Sequence, residues 1–98
     1  MKKIYFTIAG MQFRYGSDFL ERGDTVRLVK EPDNKHDREA IRVEMDGLGL
    51  VGYVANSVRT VIGESYSAGR LYDHLKENPT GKVVYIMDCA AVCELQKK

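Results

Sequence analysis

The stretch that decides the fold is Thr25–Val43, TVRLVKEPDNKHDREAIRV. It begins with alternating apolar and charged residues, so that Val26 and Leu28 would share one face of a β-strand. It ends in the same pattern, with Ile41 and Val43 on the inward face. The stretch therefore predicts two half-buried strands that are joined by a long polar connection.

The polar connection is richer than a simple loop requires. Glu31 precedes a proline and is therefore restricted to extended backbone geometry. Pro32 fixes its own φ angle, and Asp33 and Asn34 can hydrogen-bond to nearby backbone, so a turn should begin here. Five consecutive polar residues, Lys35–Glu39, then place an imidazole beside a carboxylate.

Further strands are predicted on both sides of this stretch. Asp46 and Gly47 form a strong hairpin signal, with a bulge expected near Gly49. Gly52 lies inside the return strand and indicates a sharp bend or a close backbone approach. The strand candidates are Ile4–Ala9, Leu48–Val54 and Lys82–Leu95, the last being one long bent strand or two strands broken near Asp88.

Two short helices are expected late in the chain. The first is capped by Asn56 or Ser57, ends at Gly63 and has an apolar face of Val58, Val61 and Ile62. The second is capped by Ser67 and directs Leu71 and Leu75 inward. The predicted fold is mainly β with two short helices, a small OB-like or SH3-like barrel of about five to six strands. Closure into a barrel removes exposed strand edges.

Length and composition limit the possibilities further. The 98 residues suit a single domain, 1–98, with a core of about 3–95 and a tail at 96–98. A net charge of +1 gives no bulk electrostatic footprint for nucleic acid. No apolar run approaches the roughly 20 residues of a membrane span. The start of the chain is typical of a strand rather than a signal peptide, so a cytoplasmic location is expected.

No catalytic or metal site is predicted. His36 and Asp37 are adjacent and would point to opposite sides of an extended segment, which does not favour a catalytic dyad. The simpler interpretation is that Asp37 caps a turn and His36 is solvated. Cys89 and Cys93 would face the same side of a strand, but two cysteines and two histidines give no convincing metal-ligand set. We therefore expect buried, non-catalytic cysteines, no cofactor and no enzymatic activity.

Aromatic and basic residues are interleaved. Phe13 and Tyr15 flank Arg14, and Tyr53 also lies close to a glycine. Aromatic faces in a basic groove are how small barrels stack unpaired bases while they follow the phosphates. The alternative is that these aromatic side chains fill the barrel core.

Three segments in combination resemble the HIRAN domain family. They are Gly10–Phe13, Gly23–Val43 with its E-P-x-N-x-x-D pattern, and Val51–Val54, which reads V-G-Y-V. The resemblance covers most of the chain and weakens after about Arg59. Ser67–Asp73 is similar to the corresponding segment of compact bacterial stand-alone members.

The resemblance implies a barrel related to the OB fold and a grip on the 3′ end of single-stranded DNA. By position in the family pattern, Asp37 would hydrogen-bond the terminal 3′-hydroxyl and His36 would stack on a base. Gln12 and Phe13 would correspond to an arginine and an aromatic residue after the first strand. Tyr53 would correspond to the ring residue that follows V-G.

This sequence departs from the family pattern at two cationic positions. Gln12 stands where the family has an arginine, and Asn56 stands where it has a lysine. Each change removes a phosphate contact, and phosphate contacts carry most nucleic-acid affinity. Arg14, Arg38 and Arg59 are the candidates that could restore positive charge nearby.

The sequence therefore predicts a non-enzymatic module that binds single-stranded DNA, with a preference for 3′-hydroxyl ends. A role in DNA repair in the bacterial cytoplasm, with a helicase or nuclease partner in trans and no membrane partner, would accompany it. A protein-interaction module that has lost DNA binding is the alternative. A metal-dependent hydrolase or nuclease is a third hypothesis that no motif supports.

Overall fold

A computed structural model describes residues 3–57 and 59–96 of the chain. These residues form six strands and one α-helix. The elements are β1 Tyr5–Ala9, a 3-10 helix Met11–Phe13, β2 Thr25–Lys30, β3 Ile41–Met45, β4 Gly49–Val54, α1 Ala68–Tyr72, β5 Thr80–Met87 and β6 Ala90–Gln96. The strands close into an antiparallel barrel in the order β1-β4-β3-β2-β5-β6. The predicted mainly β barrel is confirmed.

The barrel core follows the alternation of the strands. Inward residues of every strand, together with Met11 and two residues of α1, form one cluster. The largest fully buried side chains are Phe6, Ile8, Met11, Ile41, Leu71, Val26, Val43 and Val51. Val26, Ile41 and Val43 belong to the opening stretch, and all three are fully buried as their spacing predicts. Burial of each such side chain contributes about 1.5–3 kcal/mol.

Gly52 explains how β4 bends across the barrel end. A Cβ atom at this position would lie 2.7 Å from the Ala9 carbonyl oxygen and 2.8 Å from Ile8 Cγ2. The predicted close backbone approach is therefore confirmed. The register between β3 and β4 shifts between Val43 and Glu44, which leaves Val51 as the extra residue. The bulge expected near Gly49 thus lies two residues further along the chain.

The first predicted helix is wrong. Among its described residues the backbone makes turns, in which the Ser57 carbonyl oxygen accepts from Thr60 N at 3.0 Å and Val61 N at 2.9 Å. Ile62 N instead donates to Thr7 Oγ1 at 3.1 Å, and Ser65 Oγ donates to the Ile62 carbonyl at 2.7 Å. The segment is therefore tied to β1, which competes with helix formation. Val58, part of the predicted apolar face, lies outside the described residues.

The second predicted helix is confirmed but is short. Ser67 caps it, because Ser67 Oγ accepts from Arg70 N at 3.3 Å. Leu71 is fully buried in the core. The helix ends at Tyr72, so Leu75 lies beyond it and packs against the core from the connection to β5.

The segment predicted as one strand or two is a hairpin of β5 and β6. Its turn passes through Asp88 and Cys89, and Cys89 has a φ of 57°. The prediction that Cys89 and Cys93 share one strand face is therefore wrong for Cys89. Cys93 is fully buried in the core, as predicted. Ser17 fixes the turn, since its Oγ atom donates to the Met87 carbonyl at 2.9 Å and accepts from Cys89 N at 3.0 Å.

Candidate nucleic-acid interface

Strand pairing gathers the candidate residues at one end of the barrel. Ala9 of β1 pairs with Tyr53 of β4, and Tyr53 in turn pairs with Arg42 of β3. The chain leaves β1 at Gly10, which has a φ of 74° and immediately precedes the 3-10 helix that carries Phe13. The connection from β2 to β3 crosses the same end. Three segments that are distant in sequence therefore meet around Tyr53.

Glu31 is the centre of the hydrogen bonds in the β2–β3 connection. Its Oε1 atom accepts from Asn34 Nδ2 at 3.0 Å and from the Tyr53 hydroxyl at 3.1 Å. Its Oε2 atom accepts from Arg42 Nη1 at 3.2 Å. Arg42 Nε also contacts Glu44 Oε2 at 2.8 Å. The Glu31 carboxylate thus links the β2–β3 connection to β3 through Arg42 and to β4 through Tyr53.

These contacts shift two pKa values in opposite directions. The hydrogen bond from Asn34, with those from Tyr53 and Arg42, holds the pKa of Glu31 below its ordinary value despite partial desolvation. Burial and the hydrogen bond to Glu31 raise the pKa of Tyr53. At neutral pH Glu31 is therefore an anion that accepts a hydrogen bond from a protonated Tyr53.

Asn34, which is held by Glu31, in turn binds the backbone of the residues that follow it. Its Oδ1 atom accepts from the backbone N–H of His36 at 2.9 Å and of Asp37 at 3.1 Å. An asparagine that binds backbone two and three residues ahead stabilises a turn. The His36 side chain is exposed, as the simpler interpretation of the sequence predicts.

Asp37 is half-buried, and both of its carboxylate oxygens have partners. Oδ1 accepts from Glu39 N at 2.9 Å, which is the predicted cap of the local turn. Oδ2 accepts from Asn56 Nδ2 at 3.0 Å. An ionised carboxylate offers about four acceptor positions, so two contacts leave acceptor capacity. The Asp37 carboxylate can therefore cap the local turn and still accept a further hydrogen bond.

Asn56 joins three separate parts of the chain. Besides Asp37, its Nδ2 atom contacts Glu39 Oε1 at 3.4 Å, and its Oδ1 atom accepts from Gly69 N at 2.9 Å. A backbone donor on one side and two carboxylates on the other fix the orientation of the amide. Asn56 thus fixes α1 to the loop that carries Asp37.

The aromatic candidates differ in how available they are. Phe13 has 80% of its surface exposed on the 3-10 helix. Tyr53 is half-buried, and its hydroxyl is held by Glu31. The hydroxyl of Tyr15 donates to the Leu48 carbonyl at 3.2 Å, and its ring meets Phe19 edge-on. The alternative that these aromatic residues fill the core is wrong for Phe13, whose ring is largely exposed.

The cationic candidates are exposed. Arg14, Arg38 and Arg59 are exposed and form no ion pair among the residues described. The positive charge of Arg14 acts on Tyr53 and opposes the burial that raises the pKa of that tyrosine. Gln12 is exposed on the same 3-10 helix as Phe13. Among the described residues, the side chain in direct contact with the Asp37 carboxylate is the Asn56 amide rather than a cation.

Sequence reasoning assigned no role at the site to Glu31 or Asn34. Both were expected only to shape a turn, whereas the structure makes them the link between Tyr53 and the Asp37 backbone. The available signal was their spacing, since residues i and i+3 of a turn can hydrogen-bond through their side chains. Their link to Arg42 and Tyr53 required strand pairing, which sequence alone does not give.

Two cavities lie away from the Asp37 loop. The first, of about 660 Å³, is lined by β2 and by the segment from Leu75 to Thr80, and the second, of about 510 Å³, is lined by the segment between α1 and β5, Ile4 and the end of β6. Within residues 3–57 and 59–96, no three His, Cys, Asp or Glu side chains converge as a metal ion would require. No helix in this part of the chain is long and apolar enough to span a membrane.

A closed six-stranded barrel with a hydrogen-bonded polar loop and an exposed aromatic ring at one end defines a small β-barrel binding module. Comparison with protein families identifies it further: the HIRAN domain model matches residues 1–87, so the chain belongs to the HIRAN domain family. HIRAN domains are DNA-binding modules rather than catalytic domains, and membership supports nucleic-acid binding for this chain.

A solved structure supports the same fold. The barrel is similar to the crystal structure of the HIRAN domain of human HLTF, with a TM-score of 0.63 and 18% sequence identity. The match covers 95% of this chain and 74% of that one. No curated protein sequence matches the chain significantly.

Proposed function

We propose that this domain binds the 3′-hydroxyl end of single-stranded DNA, with Asp37 as the acceptor of the terminal hydroxyl. The observation that carries the proposal is the Asp37 carboxylate itself. It is half-buried, is oriented by Glu39 N and Asn56 Nδ2, and keeps acceptor capacity beside the exposed His36. A fixed carboxylate suits a hydroxyl donor and repels a phosphate, so it favours ends without a terminal phosphate.

Stacking supplies the second part of the proposed interaction. Phe13 presents an exposed ring on the 3-10 helix, and His36 presents a smaller exposed ring on the β2–β3 connection. Stacking of a base on an aromatic ring contributes about 1–3 kcal/mol. Tyr53, whose hydroxyl is already held by Glu31, would offer its ring rather than its hydroxyl. Gln12 would contribute a neutral hydrogen bond.

Phosphate contacts in this proposal come from exposed arginines. The candidates are Arg14, Arg38 and Arg59, which are exposed and have no competing carboxylate partners in the described part of the chain. The Asn56 side chain is neutral and already donates to Asp37 and Glu39, so it provides no charged phosphate contact. We therefore expect modest affinity with a shallow dependence on salt, because each phosphate contact contributes about 0.7 to the slope.

The direct test compares oligonucleotides that differ only at the 3′ end. Fluorescence anisotropy at low salt, with 5′-labelled oligonucleotides, should show roughly tenfold or greater preference for a 3′-hydroxyl over a 3′-phosphate. Asp37→Asn should abolish that preference, whereas Asp33→Asn, in the same loop and exposed, should leave it intact. Equal affinity of the native protein for both ends would rule out end recognition.

Stacking is tested with a matched pair of aromatic variants. Phe13→Ala should weaken binding to either end by about 1 kcal/mol or more. Tyr85→Ala removes another exposed ring, 57% exposed, from β5, which lies on the other side of the barrel from β4. The second variant should bind as the native domain does. Equal losses in both variants would contradict a stacking role that is specific to Phe13.

The charge around Asp37 favours one second candidate, a protein-interaction module. Asp37 contacts the Asn56 amide, and the same amide contacts the Glu39 carboxylate. Glu31 is linked to the Asp37 backbone through Asn34. Such a surface would suit a basic peptide better than a phosphate backbone. The absence of oligonucleotide binding at low salt would favour this candidate over the first.

The biological setting that we propose is DNA repair in the bacterial cytoplasm. A helicase or nuclease acting in trans would use the domain to locate a 3′ end. Addition of the domain to such an enzyme on a substrate with an exposed 3′ end should raise its activity, and Asp37→Asn should remove the effect. Stimulation by the variant would contradict this setting.

A further inference from the structure

The cavity of about 660 Å³ lies between β2 and the segment that joins α1 to β5. Its lining contains three cationic side chains, Arg27, Lys30 and Lys76, and no carboxylate. This balance is unusual on a chain whose net charge is only +1. A cavity lined by charges of one sign attracts ligands of the opposite sign.

Two of these three cations lack a carboxylate partner within the described residues. Arg27 is occupied, since it pairs with Glu44 at 3.3 Å and with Asp46. Lys30 instead lies over the Tyr72 ring, with its Nζ atom 4.2 Å from the ring centroid. Lys76 is exposed and forms no ion pair in residues 3–57 and 59–96. Lys30 and Lys76 are therefore available to an anion.

Apolar residues separate the two lysines. Val29 is 39% exposed, Leu75 is half-buried, and Pro79 completes this surface. Charged ammonium groups around an apolar floor match a nucleotide strand, in which phosphates alternate with sugars and base faces. The adjoining cavity of about 510 Å³ shares Lys76 but adds Asp73 and Glu77, so its mixed charge does not select an anion.

Helix α1 connects this groove to the Asp37 loop. At its start, Gly69 N donates to Asn56 Oδ1 at 2.9 Å, and Asn56 contacts Asp37. At its end, Tyr72 lies under Lys30. Gly69 and Tyr72 are three residues apart, a rise of about 4.5 Å along a helix. The groove thus begins within a few nucleotide lengths of the Asp37 carboxylate.

We propose that the strand segment on the 5′ side of the bound end lies in this groove, with its phosphates contacted by Lys30 and Lys76. This proposal rests on the proposed function, because it assigns a path to a strand whose 3′ end is held at Asp37. It also locates cationic contacts that positions 12 and 56 no longer provide. An oligonucleotide too short to extend past α1 would not contact these two lysines.

Oligonucleotide length separates the groove from the end site. We would measure binding of the native chain, the double variant Lys30→Gln/Lys76→Gln and the control Arg22→Gln to 3′-hydroxyl dT2 and dT8. Arg22 is exposed and lies before the start of β2, whereas Lys30 ends it. The double variant should bind dT8 roughly five- to tenfold more weakly at low salt. Its salt slope should fall by about 1.4, for two phosphate contacts.

The other expected results make the test specific. Affinity for dT2 should not change in the double variant, and Arg22→Gln should bind both oligonucleotides as the native chain does. In the native chain, dT8 but not dT2 should shift the methyl NMR signals of Val29 and Leu75. Thermal unfolding of each variant verifies that the barrel is intact.

The contrary outcomes distinguish this proposal from the one on which it rests. Unchanged dT8 affinity in a folded double variant, with the preference for a 3′-hydroxyl retained, would overturn the groove and leave the end site standing. Equal loss for dT2 and dT8 would also overturn it, because the lysines would then act at the end site. No binding of either oligonucleotide to the native chain would overturn both proposals.

Discussion

Asn56 Nδ2 donates to Asp37 Oδ2 across 3.0 Å, and this contact joins two segments that are 19 residues apart. Asp37 lies in the connection between β2 and β3, whereas Asn56 follows β4. The same amide receives a hydrogen bond from Gly69 N at the start of α1. The contact therefore couples the orientation of the candidate end-binding carboxylate to the packing of the helix.

A lysine at position 56 should restore a cationic contact. We expect Asn56→Lys to bind single-stranded DNA roughly two- to fivefold more tightly at low salt, because an exposed ion pair contributes up to about 1 kcal/mol. The dependence of log K on log salt should steepen by about 0.7. Anisotropy titrations at several salt concentrations measure both quantities. Asn56→Ala is the control without added charge, and an unchanged slope in Asn56→Lys would contradict the predicted phosphate contact.

Protonation of Glu31 at acid pH should weaken the hydrogen bonds that hold the β2–β3 connection. Because hydrogen bonds, first that from Asn34, lower the pKa of Glu31 in the folded state below the ordinary 4.5, the stabilisation is fully present above pH 4.5. It is lost as the pH falls through the lowered pKa. NMR titration from pH 7 to pH 2 should show the side-chain amide of Asn34, which donates to Glu31, shifting with a midpoint below 4.5.

Glu31→Gln is the matched control for this titration. The variant lacks the titrating carboxylate but keeps similar size, so the Asn34 side-chain amide should lose that acid transition. A transition centred at or above pH 4.5 in the native domain would contradict the role of Glu31, because its hydrogen bonds would then fail to favour the anion.

Gly52→Ala should destabilise the barrel by about 1–3 kcal/mol, since its Cβ atom would meet the Ala9 carbonyl oxygen and Ile8 Cγ2. Each kcal/mol should lower Tm by roughly 4–8 °C for a domain of this size. Thermal unfolding followed by circular dichroism measures the shift. Gly69→Ala is the control, because there the new Cβ meets only the movable Glu39 carboxylate, at 2.6 Å. Equal Tm losses in both variants would contradict this distinction.

The two thiols should differ in reactivity. Burial raises the pKa of Cys93 to about 12, so its reactive thiolate is scarce at neutral pH. Cys89 is half-buried at the hairpin turn, and partial burial with the nearby Asp88 also raises its pKa. Iodoacetamide at pH 8 should therefore modify Cys89 more slowly than free cysteine, and Cys93 only after unfolding. Mass spectrometry with Cys93→Ala as the control identifies each site, and rapid native labelling of Cys93 would contradict its burial.

Local patterns in the sequence determined most of the barrel. Alternating apolar residues predicted the positions of the strands, and Asp46-Gly47 predicted the β3–β4 turn, because both depend on neighbouring residues alone. The predicted helix after Asn56 or Ser57 does not form because Thr7, which is 55 residues away in sequence, accepts a hydrogen bond from the backbone N–H of Ile62. Apolar spacing could not reveal that competition.

At the candidate interface, sequence alone identified the family resemblance and the residue types at Phe13, His36 and Asp37. Only the tertiary structure decided their partners. Strand pairing brings Tyr53 and Arg42 to Glu31, and barrel closure brings Asn56 to Asp37. Hydrogen bonds act over about 3 Å, whereas these partners are separated by 11 to 22 residues. The loop sequence supplies the carboxylates, and the closed barrel determines which donors hold them.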